Sequence, residues 1–149
     1  MNKIVLCNRV STAVFAVVAV VSAILFTSFW RVVIVAVSLG LFAIGVATFL
    51  LGYFAAVQRS REEEISVTQL FFLAGEVAPK KVRLAMWYCL ALQCVVGLGV
   101  ALARPSTDGK AGSVMAFAVM VPMLGIGLNG LWAGKFGTFG PRQLKSASE

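Results

Sequence analysis

Histidine is missing from this sequence of 149 residues, and acids are scarce, six against 13 Lys and Arg. The three cysteines, Cys7, Cys89 and Cys94, show no metal-ligand spacing and no redox pair. Cys89 and Cys94 stand five apart, so on one helix they point in different directions and cannot be bridged. Both read as small apolar filler. Every acid (Glu62, Glu63, Glu64, Glu76, Asp108, Glu149) lies outside the long apolar runs. Proton-coupled transport needs an acid or histidine within the membrane, and intramembrane proteolysis needs an acid pair or a Ser-His dyad. Neither is supplied. The expectation is a chain without metal or cofactor and without catalysis.

Charge of any sign is also sparse. Charged residues make up 13% of the chain and apolar residues 60%, whereas a soluble domain carries about 25% charge. Too little polar surface exists to clothe a globule in water. The net charge of +7 does not form a nucleic-acid patch, because the basic residues fall at the edges of apolar runs, where they report membrane orientation. The length fits one domain, spanning residues 1–149.

Four apolar stretches are long enough to cross a hydrocarbon core, which takes about 20 helical residues. They cover residues 10–28, 33–57, 82–103 and 113–133. Phe29-Trp30-Arg31 is read as the whole break between the first two, which forces an antiparallel helical hairpin. Ten of the 13 basic residues fall on the side holding both termini and the middle loop. Only Arg31, Arg104 and Lys110 fall on the other. The positive-inside rule therefore places both termini in the cytoplasm of an inner-membrane protein. Tyr53, Trp87, Tyr88 and Trp132 then sit near the inner interface and Trp30 near the outer one.

The middle loop carries local signals. Ser66 and Gln69 have the spacing of a capping box, and Ile65 and Leu70 that of a hydrophobic staple. Val67, Leu70, Phe71, Ala74 and Ala78 recur at helical spacing, and Gly75 reads as a stop. The pattern predicts a short amphipathic helix over 66–75, lying in the inner interface. Glu62, Glu63 and Glu64, together with Phe71 and Phe72, form a candidate docking surface for a basic partner. The plainer alternative is a solvated turn at the acids, followed by an elbow that buries its apolar face between lipid and the bundle.

Small residues mark close helix packing in lipid. Span two carries Ser38, Gly45 and Gly52 on one face, and span four carries Gly125, Gly127, Gly130 and Gly134. Span four is therefore expected to be the most tightly packed. Within it Pro122 frees the carbonyl of Ala118, and Gln93 of span three lies at a similar depth. A hydrogen bond between them would satisfy both groups. The rival reading makes Gln93, Pro122 and Asn129 part of a polar pocket. The tail 134–149 is expected to lie along the interface through Phe136 and Phe139 up to Arg142, with disorder beyond.

Three runs in the last third carry a resemblance: Ala103-Arg104-Pro105-Ser106-Thr107, Val121 to Trp132, and Gly137-Thr138-Phe139-Gly140-Pro141-Arg142. Over these segments the chain resembles small four-span actinobacterial membrane proteins of unassigned function. The resemblance implies an all-α membrane fold and supplies no catalytic motif. Taken together, the expectation is a four-helix bundle of two antiparallel hairpins. It would be an accessory, assembly or scaffold subunit whose partners are the bilayer and a homo-oligomer or larger membrane complex. The alternative is a small oligomeric channel, or a transporter or lipid-binding protein.

Overall fold

The structure is a computed structural model, and it describes residues 2–142. It is mostly helical. In chain order come α1 (Lys3–Leu25), α2 (Ser28–Arg59), β1 (Glu63–Glu64), α3 (Val67–Phe72) and α4 (Lys80–Ala103). There follow β2 (Ser106–Thr107), β3 (Lys110–Ala111), a 3₁₀ helix (Val114–Met120), α5 (Pro122–Phe136) and β4 (Gly140–Pro141). Four helical spans, with the 3₁₀ helix and α5 counted as one, are long and apolar enough to cross a membrane. At 1.5 Å per residue the 23 residues of α1 extend about 35 Å, enough for a hydrocarbon core of about 30 Å. The 32 residues of α2 extend about 48 Å, so this helix reaches beyond that thickness.

The surface has the same character. Val17, Ile24, Val95 and Leu102 are all more than 60% exposed, one on each successive stretch of α1 and α4. Contiguous apolar exposure on this scale is foreign to a water-soluble monomer. These features belong to a multi-pass membrane protein.

Two boundaries differ from the sequence expectation. The break between the first two spans is Phe26-Thr27, and Phe29-Trp30-Arg31 forms the first turns of α2. Phe26 ends α1 in the left-handed conformation, φ 45°, a geometry costly for a residue with a Cβ. Two arginines hold it there. Arg31 Nε donates to the Phe26 carbonyl at 3.2 Å, and Arg104 Nε donates to the Ala23 carbonyl at 3.0 Å. Both guanidinium groups lie against the Phe26 ring, at 4.8 and 5.0 Å from its centroid. Arg31 also binds both carboxylate oxygens of Asp108 at 2.9 and 2.8 Å. Asp108 and Gly109 form the turn between β2 and β3, both with positive φ, as an Asp-Gly hairpin turn requires.

The second difference concerns span four, which is not one continuous α-helix. Residues 114–120 are 3₁₀ and α5 begins at Pro122. Proline has no N–H to donate and is suited to the first helical position. The carbonyl of Ala118 is not left free, because it accepts the Val121 N–H at 3.3 Å.

Helices α2 and α5 run parallel at backbone contact. A Cβ on Gly45 would lie 2.6 Å from the Leu124 nitrogen, and one on Gly127 would lie 2.2 Å from the Gly45 carbonyl oxygen. One heptad on, a Cβ at Gly52 would meet the carbonyl carbon of Gly130 at 2.4 Å. The expected seam of small residues in span two thus faces the glycines of span four. The final span is also the most enclosed, with 50% of its most apolar stretch buried against 17% for that of α2. The second close pairing is between α1 and α4, where Asn8 sits beside Gln93 and the Ala23 carbonyl beside Arg104.

The expected interfacial helix is present and shorter than 66–75. Ser66 caps it, with Ser66 Oγ accepting the Gln69 N–H at 3.2 Å and Gln69 Oε1 accepting the Ser66 N–H at 3.0 Å. It stops at Leu73, φ 52°, two residues before Gly75. Leu73 is fully buried, and that burial offsets its left-handed backbone. Leu70 and Phe71 are also buried, so this short helix packs inward on α5 as well as lining the surface.

Candidate functional site

Two polar sites interrupt the apolar interior. The first lies between α1, α4 and α5 and centres on Gln93, which has no exposed surface. Its Nε2 donates to Thr12 Oγ1 at 2.7 Å and to Asn8 Oδ1 at 3.2 Å. Its Oε1 accepts the backbone N–H of Gly125 at 3.1 Å. Asn8 in turn donates from Nδ2 to the sulfur of Met86 at 3.4 Å. Asn8 and Thr12 stand one helical turn apart on α1, so both face α4. The glutamine side chain therefore bridges three helices.

This partner set corrects the sequence expectation for Gln93. The group in need at the Pro122 break is a donor and not the Ala118 carbonyl. Val121's carbonyl is occupied by Leu124 in a 3₁₀-type bond of 2.8 Å, and the Gly125 N–H one residue later is taken by Gln93. The start of a helix leaves N–H groups without intrahelical acceptors, and a glutamine carbonyl serves that need. Pro122 marks this helix start. Gly125 has no room for a side chain, since a Cβ would lie 2.8 Å from Gln93 Oε1.

The second site is Asn129, also without exposed surface. Its Nδ2 donates to the Phe71 carbonyl at 3.0 Å, tying the end of α3 to α5, while its Oδ1 has no partner. Beside it the Phe71 ring stacks on Phe49, centroids 4.2 Å apart and planes 11° from parallel. The same ring occupies the space a side chain at Gly130 would need. Gln93 and Asn129 thus serve different junctions, one joining α1, α4 and α5, the other α3 and α5.

The proposed docking residues separate in the same way. Phe71 is 5% exposed and belongs to the core, so it offers little surface of its own. Phe72 stays exposed, its carbonyl accepting the Trp87 indole N–H at 2.7 Å. Glu62 and Glu64 are exposed. Glu63 is taken up in an ion pair with Arg59 at 2.8 Å. Glu63 and Glu64 also form β1, antiparallel to Gly140–Pro141, and the Glu62 carbonyl accepts the Arg142 N–H at 2.9 Å. The acidic run does not project as a separate cluster, because the chain after α5 folds back on it. Residues 134–136 continue α5, and 143–149, where disorder was expected, lie outside the described residues.

Arg59 organises this end of the molecule, and sequence reasoning used it only as a charge to count. Its guanidinium donates to the carbonyls of Ala133, Gly134 and Gly137 at 3.4, 3.2 and 2.9 Å. It also lies 5.0 Å from the Phe139 ring centroid. A cation at the carbonyl end of a helix is favourable, so Arg59 fastens α2 to the end of α5 while Glu63 neutralises it. Asn8 was missed for a plain reason, since it lay before the expected start of span one. Its spacing of four from Thr12 in an apolar run was the signal available.

Among the described residues no group of His, Cys, Asp and Glu could hold a metal ion. The chain matches no protein family, no curated protein and no solved structure.

Proposed function

We propose that this chain is a non-catalytic membrane protein of the bacterial inner membrane, serving as an accessory, assembly or scaffold subunit of a larger complex. In this reading the spans form a four-helix bundle of two antiparallel hairpins. Both termini and the α2–α4 segment lie in the cytoplasm in this reading, which the asymmetry of ten basic residues against three supports. The exposed apolar side chains of α3, Val67 and Phe72, then rest in the inner interface.

The observation that carries the reading is the state of Gln93. It is the residue a mid-membrane pocket would need most, and its donors and its acceptor are engaged by Asn8, Thr12 and Gly125. A polar group satisfied this way fixes helix register. The channel or transporter reading draws instead on Asn129, whose Oδ1 has no partner. Its Nδ2 is nonetheless committed to Phe71, which supports a packing role there too.

The test is affinity purification of the full chain from native membranes in mild detergent, with a proteoliposome flux assay alongside. A partner recovered in fixed stoichiometry, with no flux above empty liposomes, is the expected result. Recovery of the chain alone, together with solute or ion flux that N129L abolishes, would replace this reading with the channel.

A further inference from the structure

Helices α1 and α4 run in the same direction, since Asn8 pairs with Gln93 and, further along both, Ala23 pairs with Arg104. Beside these contacts a groove of about 550 Å³ opens between the two helices. That is within the range of small-ligand sites, about 300–1,000 Å³. Its accessible walls are two stripes. Arg9 and Ala13 stand one turn apart on α1, and Tyr88, Ala91, Leu92 and Val95 follow one face of α4. All six are exposed. Alanine at 13 and at 91 leaves the space, because a longer side chain at either would fill it.

The groove is polarised along its length. Among the described residues that line it, Arg9 alone carries charge. With Tyr88, which is 74% exposed, it stands at the end nearer the start of both helices. From Tyr88 to Val95 the helix rises about 10 Å, and beyond Arg9 and Tyr88 the accessible wall is apolar. Arg9 lies within a span whose helix begins at Lys3. An arginine facing lipid there is costly unless its head reaches the interface and finds a partner, and tyrosine favours that same level. One groove thus joins a cation at headgroup depth to an apolar slot beneath it.

We propose that this groove binds an anionic phospholipid, its phosphate on the Arg9 guanidinium and one acyl chain along Ala13, Leu92 and Val95. A guanidinium presents five N–H donors and matches phosphate bidentately, so it can hold a phosphate alongside other contacts. The Tyr88 hydroxyl adds a donor. Basic pockets between spans on the cytoplasmic side suit anionic headgroups, which that leaflet supplies. Charge and width both select this occupant over a second copy of the chain. A second copy seated symmetrically would bring another Arg9 in place of an anion. Six accessible residues also fall short of the roughly 20–30 a side in a specific protein interface. The inference uses the membrane fold, and it takes only the leaflet from the orientation proposed above.

The test is native mass spectrometry of the full-length protein in neutral detergent. Phosphatidylglycerol and phosphatidylcholine of identical acyl chains are titrated separately. Phosphatidylglycerol should bind about fivefold or more tighter, the worth of one arginine at an anionic headgroup. R9Q should abolish that preference, and R9K, which keeps the charge, should retain it. Ala13→Leu, which fills the slot, should weaken binding of both lipids. Arg9 and Ala13 are exposed, so these variants keep the fold, and circular dichroism checks that they do. Equal binding of the two lipids, a preference that survives R9Q, or affinity unchanged in A13L overturns the proposal. So does a wild-type dimer that A13L abolishes, which would assign the groove to a second copy. Neither a protein partner nor a membrane side enters the measurement, so its failure leaves the accessory reading standing.

Discussion

Replacing Gln93 by leucine removes a group that reaches α1, α4 and α5 together while nearly keeping its volume. Two consequences can be weighed separately. The buried Gly125 N–H loses its acceptor, at a cost of about 1–3 kcal/mol. The bonds to Thr12 and Asn8 are also lost, and side-chain hydrogen bonds within membrane proteins average about 0.6 kcal/mol each. The sum is about 2–4 kcal/mol of destabilisation. Reversible unfolding in mixed micelles, followed by circular dichroism, measures it directly. Asn8→Leu on the Q93L background should cost less than on the wild type, because the partner it abandons is already gone. A coupling of about 0.5–3 kcal/mol between the two positions is expected for groups in one network. A Q93L protein within about 0.5 kcal/mol of wild type, with Asn8 and Gln93 additive, would refute the bridging role.

The glycines on α5 offer a second test by the same unfolding measurement. Gly127→Ala places a methyl 2.2 Å from the Gly45 carbonyl oxygen and should destabilise by about 1–3 kcal/mol or more. Gly99→Ala, where nothing lies within 4 Å, should be neutral or stabilise by up to about 1 kcal/mol. Arg59→Gln should cost about 1–2 kcal/mol, given charge-assisted bonds to three carbonyls at a site 29% exposed. Hydrogen exchange should then speed up at Arg142, whose N–H bonds the Glu62 carbonyl. Equal exchange in both proteins would mean that Arg59 does not hold the returning chain. For orientation, with Cys7, Cys89 and Cys94 replaced by alanine, a thiol at Lys110→Cys should react with an impermeant reagent on intact cells or spheroplasts. One at Glu64→Cys should react only after permeabilisation; the reverse pattern inverts the assigned topology.

The helices were legible because an apolar run of about 20 residues admits few other structures. The capping box was legible too, since Ser66 and Gln69 interact locally and their spacing states the contact. The seam from Ser38 through Gly45 to Gly52 could be placed on one face, and its partner glycines named on span four. What stayed hidden depends on which helix lies beside which. Gln93 was recognised as a polar group needing a partner, yet Asn8 is 85 residues away and nothing in the spacing joins them. Arg59 read as one more positive charge because its three acceptors are backbone carbonyls, which every residue possesses. Phe71 was open to both packing and docking because a six-residue helix has too few turns for its apolar stripe to declare a direction. The Asp108-Gly109 turn was within reach, since that dipeptide is a strong hairpin signal between short extended segments.

The separation of Asn8 from Gln93 also sets an order of events during synthesis. Asn8 and Thr12 emerge with the first helix, and their shared donor is made 85 and 81 residues later. At about 5–20 residues per second, that leaves them without it for roughly 4–17 s. Through that interval Gly45 and Gly52 of α2 likewise have no α5 to rest against. The first two helices are thus delivered to the membrane with their joining surfaces open. A nascent chain stopped before Gln93 should be the form most readily captured by insertion machinery or quality-control proteases. The pairing of Gly140–Pro141 with Glu63–Glu64 comes later still, because it waits for residues made after α5.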